Sequence, residues 1–94
     1  MEKIKKMWID FVKMQFPNDY AGVHINNICV TSLDTYAAGC IDTYITSGIL
    51  DNNMKKILLD CLIDLQSILP NLEGYSKDYF TKLKLVCEEI MRIN

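Results

Sequence analysis

Arginine and histidine are almost missing from this chain, which has one of each, Arg92 and His24, in 94 residues. Nucleic-acid readers hold phosphates and read base edges with clustered arginine and lysine, and no segment here presents such a face. The formal net charge of −2 argues in the same direction. One histidine leaves a zinc site to be completed from cysteine, yet the four cysteines, Cys29, Cys40, Cys61 and Cys87, include no CxxC pair. The chain also lacks a phosphate-binding glycine loop, a nucleophile elbow and a metalloprotease motif. No apolar run reaches the length of a membrane span, because Asp60 and Asp64 interrupt the most hydrophobic segment. The N-terminus has neither the unbroken apolar stretch nor the small-residue cleavage site of a signal peptide. The expectation is therefore a protein without cofactor or metal, with reduced thiols and a cytoplasmic location.

What is present is helical periodicity. Half the residues are hydrophobic and 23% charged, the composition of an ordinary globular chain, and 94 residues suit one domain, 1–94. The spacing of Ile4, Trp8, Phe11 and Val12, with Met7 and Met14 beside them, predicts a first helix over 2–16, ended by Pro17. Residues 17–30 break the rhythm with Pro17, Asn18, Asp19, Gly22 and the Asn26-Asn27 pair. They read as a long loop laid over the core through Val23, Ile25, Ile28 and Val30, with a short strand as the other reading.

Leu33, Tyr36, Ala37, Cys40, Ile41, Tyr44 and Ile45 predict a second helix over 32–47, with Thr31 as N-cap, Asp34 completing the cap and Gly48 closing the end. Ala37, Ala38 and Gly39 offer a place where another helix approaches closely. Asp51 caps a third helix over 52–69, whose stripe from Met54 to Leu69 is widened by Leu59 and Ile63, as a central helix would be. Pro70 stops it, and Ser76 caps a fourth over 77–93, with Tyr79, Phe80, Leu83, Val86, Cys87, Ile90 and Met91 inward. The fold class is all-α: a four-helix bundle with a long loop between helices 1 and 2.

Charge divides along the chain. Residues 1–16 hold four lysines against two acids, a net of +2, while residues 31–69 hold five aspartates against two lysines, a net of −3. Asp60 and Asp64 are one helical turn apart, with Lys56 a turn earlier and able to pair with Asp60. With Asp34 and Asp42 they read as an acidic docking strip, beside the ordinary alternative of a solvated face. Asp19, Tyr20 and His24 share the long loop and are candidate recognition residues. His24 with Cys29 also forms a lone H-x4-C pair, too little for a zinc site and without the surroundings of a thiol enzyme. Helix 1, with lysines opposite Trp8 and Phe11, has the composition of a membrane-surface helix and equally of a core helix, and core is the preferred reading.

Three segments carry a resemblance: LDTYAAGCIDTYI (33–45), DCLIDLQSILPNLEG (60–74) and YFTKLKLVCEEI (79–90), with AAGC and ILPNLEG the most specific. In these the chain resembles a family of small, mostly uncharacterised all-α bacterial proteins of immunity-protein style. The resemblance implies a non-catalytic protein that binds and neutralises a toxin, and it carries no site residue across. The expected partner is a protein, a basic toxin domain, rather than nucleic acid or membrane. The alternative is a structural or regulatory bundle that self-associates, by default as a homodimer.

Overall fold

A computed structural model describes residues 1–94. Four helices, α1 (Glu2–Val12), α2 (Val30–Ser47), α3 (Asn52–Ile68) and α4 (Gly74–Ile93), account for most of the chain. Short 3-10 turns at Asn18–Tyr20 and Leu69–Asn71 and a two-residue-per-strand hairpin, β1 (His24–Ile25) and β2 (Ile28–Cys29), fill the connections. The all-α, four-helix architecture expected from periodicity is the observed one, in a body of 33 × 25 × 18 Å.

The helix expected to be central is not. α4 packs against all three others, whereas α3 packs against α2 and α4, and α1 lies chiefly on α4. Leu59 and Ile63, expected to widen the α3 stripe, are 49% and 57% exposed and face away from the core. The apolar centre is one cluster drawn from every helix, including the fully buried Ile4, Ile41, Leu58, Leu65, Phe80, Leu83 and Ile90. Each such side chain stabilises the fold by about 1.5–3 kcal/mol relative to exposure.

α1 stops at Val12, four residues short of the expected end. Leaving the helix lets Phe16 turn back onto α4, where its ring lies edge-on to Tyr79 at 5.8 Å and to Phe80 at 6.1 Å. The Tyr75 hydroxyl donates to the freed Gln15 carbonyl at 2.6 Å, so the exit from the helix is hydrogen-bonded. Val12, expected inside, is consequently at the frayed end and 54% exposed.

Between α1 and α2 the chain is both a lid and a hairpin. Asn26 and Asn27 take left-handed conformations, φ 52° and 66°, the pairing that a tight two-residue hairpin turn demands and that asparagine tolerates. Ile25 and Ile28 pack on the core, and Val30 is fully buried. α2 begins at Val30 rather than after Thr31, with Cys29 in the cap position. Thr31 is engaged elsewhere: its Oγ1 accepts from the Gly22 amide at 3.0 Å and fastens the loop.

The other helix ends follow local chemistry more closely. Gly48, at φ 75°, ends α2 in the left-handed region, and Asp51 caps α3 by accepting from the Met54 amide at 2.8 Å. Pro70 sits inside the 3-10 turn that follows α3. α4 begins at Gly74, before the expected start, and buried Ser76 donates to the Glu73 carbonyl instead of capping.

Candidate functional site

The seam between α2 and α3 closes on the α4 side and stays open on the other. There α3 presents Ile57, Asp60, Cys61 and Asp64, α2 presents Ser32, Leu33 and Tyr36, and the hairpin adds Asn27, Ile28 and Cys29, around a groove of about 560 Å³. The hairpin is held in place by Asn26, whose amide donates to the Ser67 carbonyl at 3.2 Å and to the Ser67 hydroxyl at 3.0 Å. Tyr36 and Ile57 continue along the seam into a shallower stretch with Gly39, Cys40, Thr43 and Met54. Gly39 is exposed, and an added Cβ would meet open space, so it opens the groove to solvent rather than admitting a neighbouring helix.

Asp60 and Asp64 form the acidic rim of this groove. Neither has an ion-pair partner, and the Lys56–Asp60 pairing that the spacing permits is not made. The other two aspartates of the expected strip point elsewhere. Asp34 turns toward α4 and accepts from the Tyr79 hydroxyl at 2.7 Å. Burial raises its carboxyl above the usual range, and the Tyr79 hydrogen bond offsets part of that rise. Asp42 is exposed on the outer side of α2, away from the groove lining. One helical face cannot hold all four, because positions 34 and 42 of α2 flank the buried stripe on its far side from α3.

Among the groove residues, Tyr36 lies where its spacing did not put it. Its spacing matches the core rhythm, yet it stands at the edge of the seam and is 65% exposed. Asp19 and Tyr20 fall at a separate open cleft of about 840 Å³ between residues 13–20 and the start of α4, with Lys13, Glu73 and Tyr75 nearby. Charges of both signs alternate there without converging on one point. His24 is exposed on the hairpin and lines neither cavity.

The register nevertheless places His24 directly across the ladder from Cys29. The Cys29 thiol is drawn below its ordinary value by the Ser32 hydroxyl, then by the Ser32 and Thr31 amides at the start of α2, although none is close enough for a full cap hydrogen bond. The groups that act on the thiol are those of Ser32 and Thr31 at the start of α2.

The other three thiols are sequestered. Burial pushes Cys40 and Cys87 up and Cys61 to about 11, with smaller additions from Asp51 on Cys40, from Cys40 on Cys61, and from Cys61 and Cys40 on Cys87. All four cysteines are free, and no group of three or more His, Cys, Asp or Glu side chains is disposed to hold a metal ion. No helix is long and apolar enough to cross a membrane.

A groove with apolar walls, one exposed tyrosine and two unpaired carboxylates can bind a complementary surface. No family model, curated protein or solved structure matches the chain.

Proposed function

We propose that this chain is a non-catalytic protein-binding module of the immunity or antitoxin kind, acting in the cytoplasm against a basic toxin domain. The observation that carries the reading is the α2–α3 groove, where Asp60 and Asp64 stand unpaired beside the exposed ring of Tyr36. Buried aromatic anchors supply binding energy at small entropic cost, and unpaired charges at a rim steer association with an oppositely charged partner. An inhibitor of this type needs complementarity and a stable core, and it needs no chemistry of its own. The role of Asp34 in such a surface is confined to holding α2 against α4, and Asp42 contributes only its charge.

The double substitution Asp60→Lys with Asp64→Lys tests the reading. Asp60 is exposed and Asp64 half-buried, both without ion-pair partners, so stability should stay within about 1 kcal/mol of the parent. Capture from lysate of the source organism, run in parallel with parent and variant, should retain a basic protein on the parent alone. That protein should arrest growth when expressed by itself and cease to do so when co-expressed with the parent chain. Equal retention on both columns removes the groove as the binding face. A retained protein that is harmless when expressed removes the immunity role while leaving the binding role in place.

A further inference from the structure

The exposed side of the first helix complements the groove in charge and apolar character. α1 lies on α4 through Ile4 and Phe11, so its opposite side faces solvent. Along that side, at helical spacing, run Lys5, Lys6, Ile9, Val12 and Lys13, preceded by Glu2. Ile9 and Val12 are each 54% exposed, an apolar ridge bordered by lysines. Lys3 pairs with Glu89 at 3.4 Å, whereas Lys5, Lys6 and Lys13 have no ion-pair partner.

The α2–α3 groove is the complement. Tyr36 and Ile57 give it apolar walls, and its rim is the unpaired Asp60 and Asp64. From Met54 to Asp64 the groove follows α3 for about 15 Å, and from Lys5 to Lys13 the ridge covers about 12 Å. Ridge and groove cannot meet within one molecule, because α4 lies between α1 and the α2–α3 pair.

We infer that the α1 ridge of one molecule docks in the α2–α3 groove of a second copy, with Ile9 and Val12 against Tyr36 and Ile57 and the lysines against Asp60 and Asp64. The two surfaces differ and lie on opposite sides, so the contact is head-to-tail and does not close as a two-fold dimer would. A filled groove is unavailable to anything else, so self-association would compete with a foreign partner. The contact stands whether or not such a partner is a toxin.

Analytical ultracentrifugation of the purified chain tests this at low ionic strength, where surface charges are screened least. The mean mass of the parent should rise above the 10.8 kDa monomer with concentration and fall back on adding salt. Two variants separate the surfaces: Asp60→Lys with Asp64→Lys spoils only the groove, and Lys5→Gln with Lys6→Gln and Ile9→Gln spoils only the ridge. Lys5, Lys6, Ile9 and Asp60 are exposed and Asp64 is half-buried without an ion-pair partner, so far-UV circular dichroism should match the parent.

Each variant alone should be monomeric. Mixed, they should form a 1:1 complex of twice the monomer mass, since one contributes the intact ridge and the other the intact groove. A parent that stays monomeric up to about 1 mM overturns the inference. So does association that survives in either variant, or two monomeric variants that fail to complement.

Discussion

The two long seams of the molecule are built on opposite plans. Between α1 and α4 the contact is largely aromatic: Phe11 meets Tyr79 across it at 4.7 Å, with Trp8 stacked on Phe11 within α1 at 5.4 Å and Tyr79 against Phe80 within α4 at 4.9 Å. Phe16 seals one end, and the Lys3–Glu89 pair bridges the two helices. Between α2 and α3 the inner half is as tight, with Ala37, Leu58 and Leu65 fully buried, but the outer half is a groove. The difference lies in side-chain size. Rings fill most of the first seam, leaving a recess of about 140 Å³ beside Met7 and Leu85, whereas the second places Gly39, Ser32 and two short aspartates along its open side. Stability is therefore concentrated around α4, and the α2–α3 rim is left open.

The strongest challenge to that division is Phe80→Ala. Phe80 is fully buried against Phe16 and Tyr79, so truncation should destabilise the protein by about 3–5 kcal/mol in denaturant titration. A loss below about 1 kcal/mol, ordinary for a surface position, would mean that the aromatic seam does not hold the fold.

Tyr79→Phe should cost less, about 2 kcal/mol at neutral pH, the scale of a hydrogen bond to a charged group. It leaves the ring in place and removes the donor to Asp34. That donor lowers the Asp34 pKa, so the variant's carboxyl rises further above its unfolded value. Between the unfolded and folded values the native state then binds more protons than the unfolded one, and stability falls as pH rises through that window. The deficit of the variant should be complete above the folded pKa and shrink on acidification, which denaturation at a series of pH values will measure. A deficit independent of pH would detach Asp34 from the α2–α4 contact.

Gly39→Ala should have the smallest effect and the opposite sign. The added methyl meets open space on an exposed helical position, so stability should increase by about 0.5–1 kcal/mol. A loss at this position would show the groove to be narrower than its walls imply.

Much of the fold was legible because its determinants are local. Asp51 and Gly48 act as their residue types predict, and the inward rows of α3 and α4 follow the 3-4 rhythm closely. The misreadings share one cause, a local preference overruled by a partner distant in sequence. Thr31 is a good cap whose hydroxyl is engaged by Gly22, and Asp34 would complete that cap but is held by Tyr79. Tyr36, Val12, Leu59 and Ile63 have core spacing at positions where no neighbouring helix arrives.

Of the candidate residues, only Asp60 and Asp64 share the groove. The acidic strip divides because the angular positions of Asp34 and Asp42 on α2 depend on which side of that helix α4 occupies, which one sequence does not encode locally. Tyr36 might have been found as the outermost member of its row, next to Gly39.

The Asn26 side chain that reaches Ser67 has a consequence for motion. It is the one polar side-chain tie between the hairpin and α3, while the opposite wall of the groove is a continuous helix. A segment fastened at so few points has an opening free energy of its own, well below that of global unfolding. The amides of residues 23–29 should therefore exchange with solvent sooner than those of α4. The mouth of the groove can then adjust its width by a local loosening that leaves the aromatic seam undisturbed.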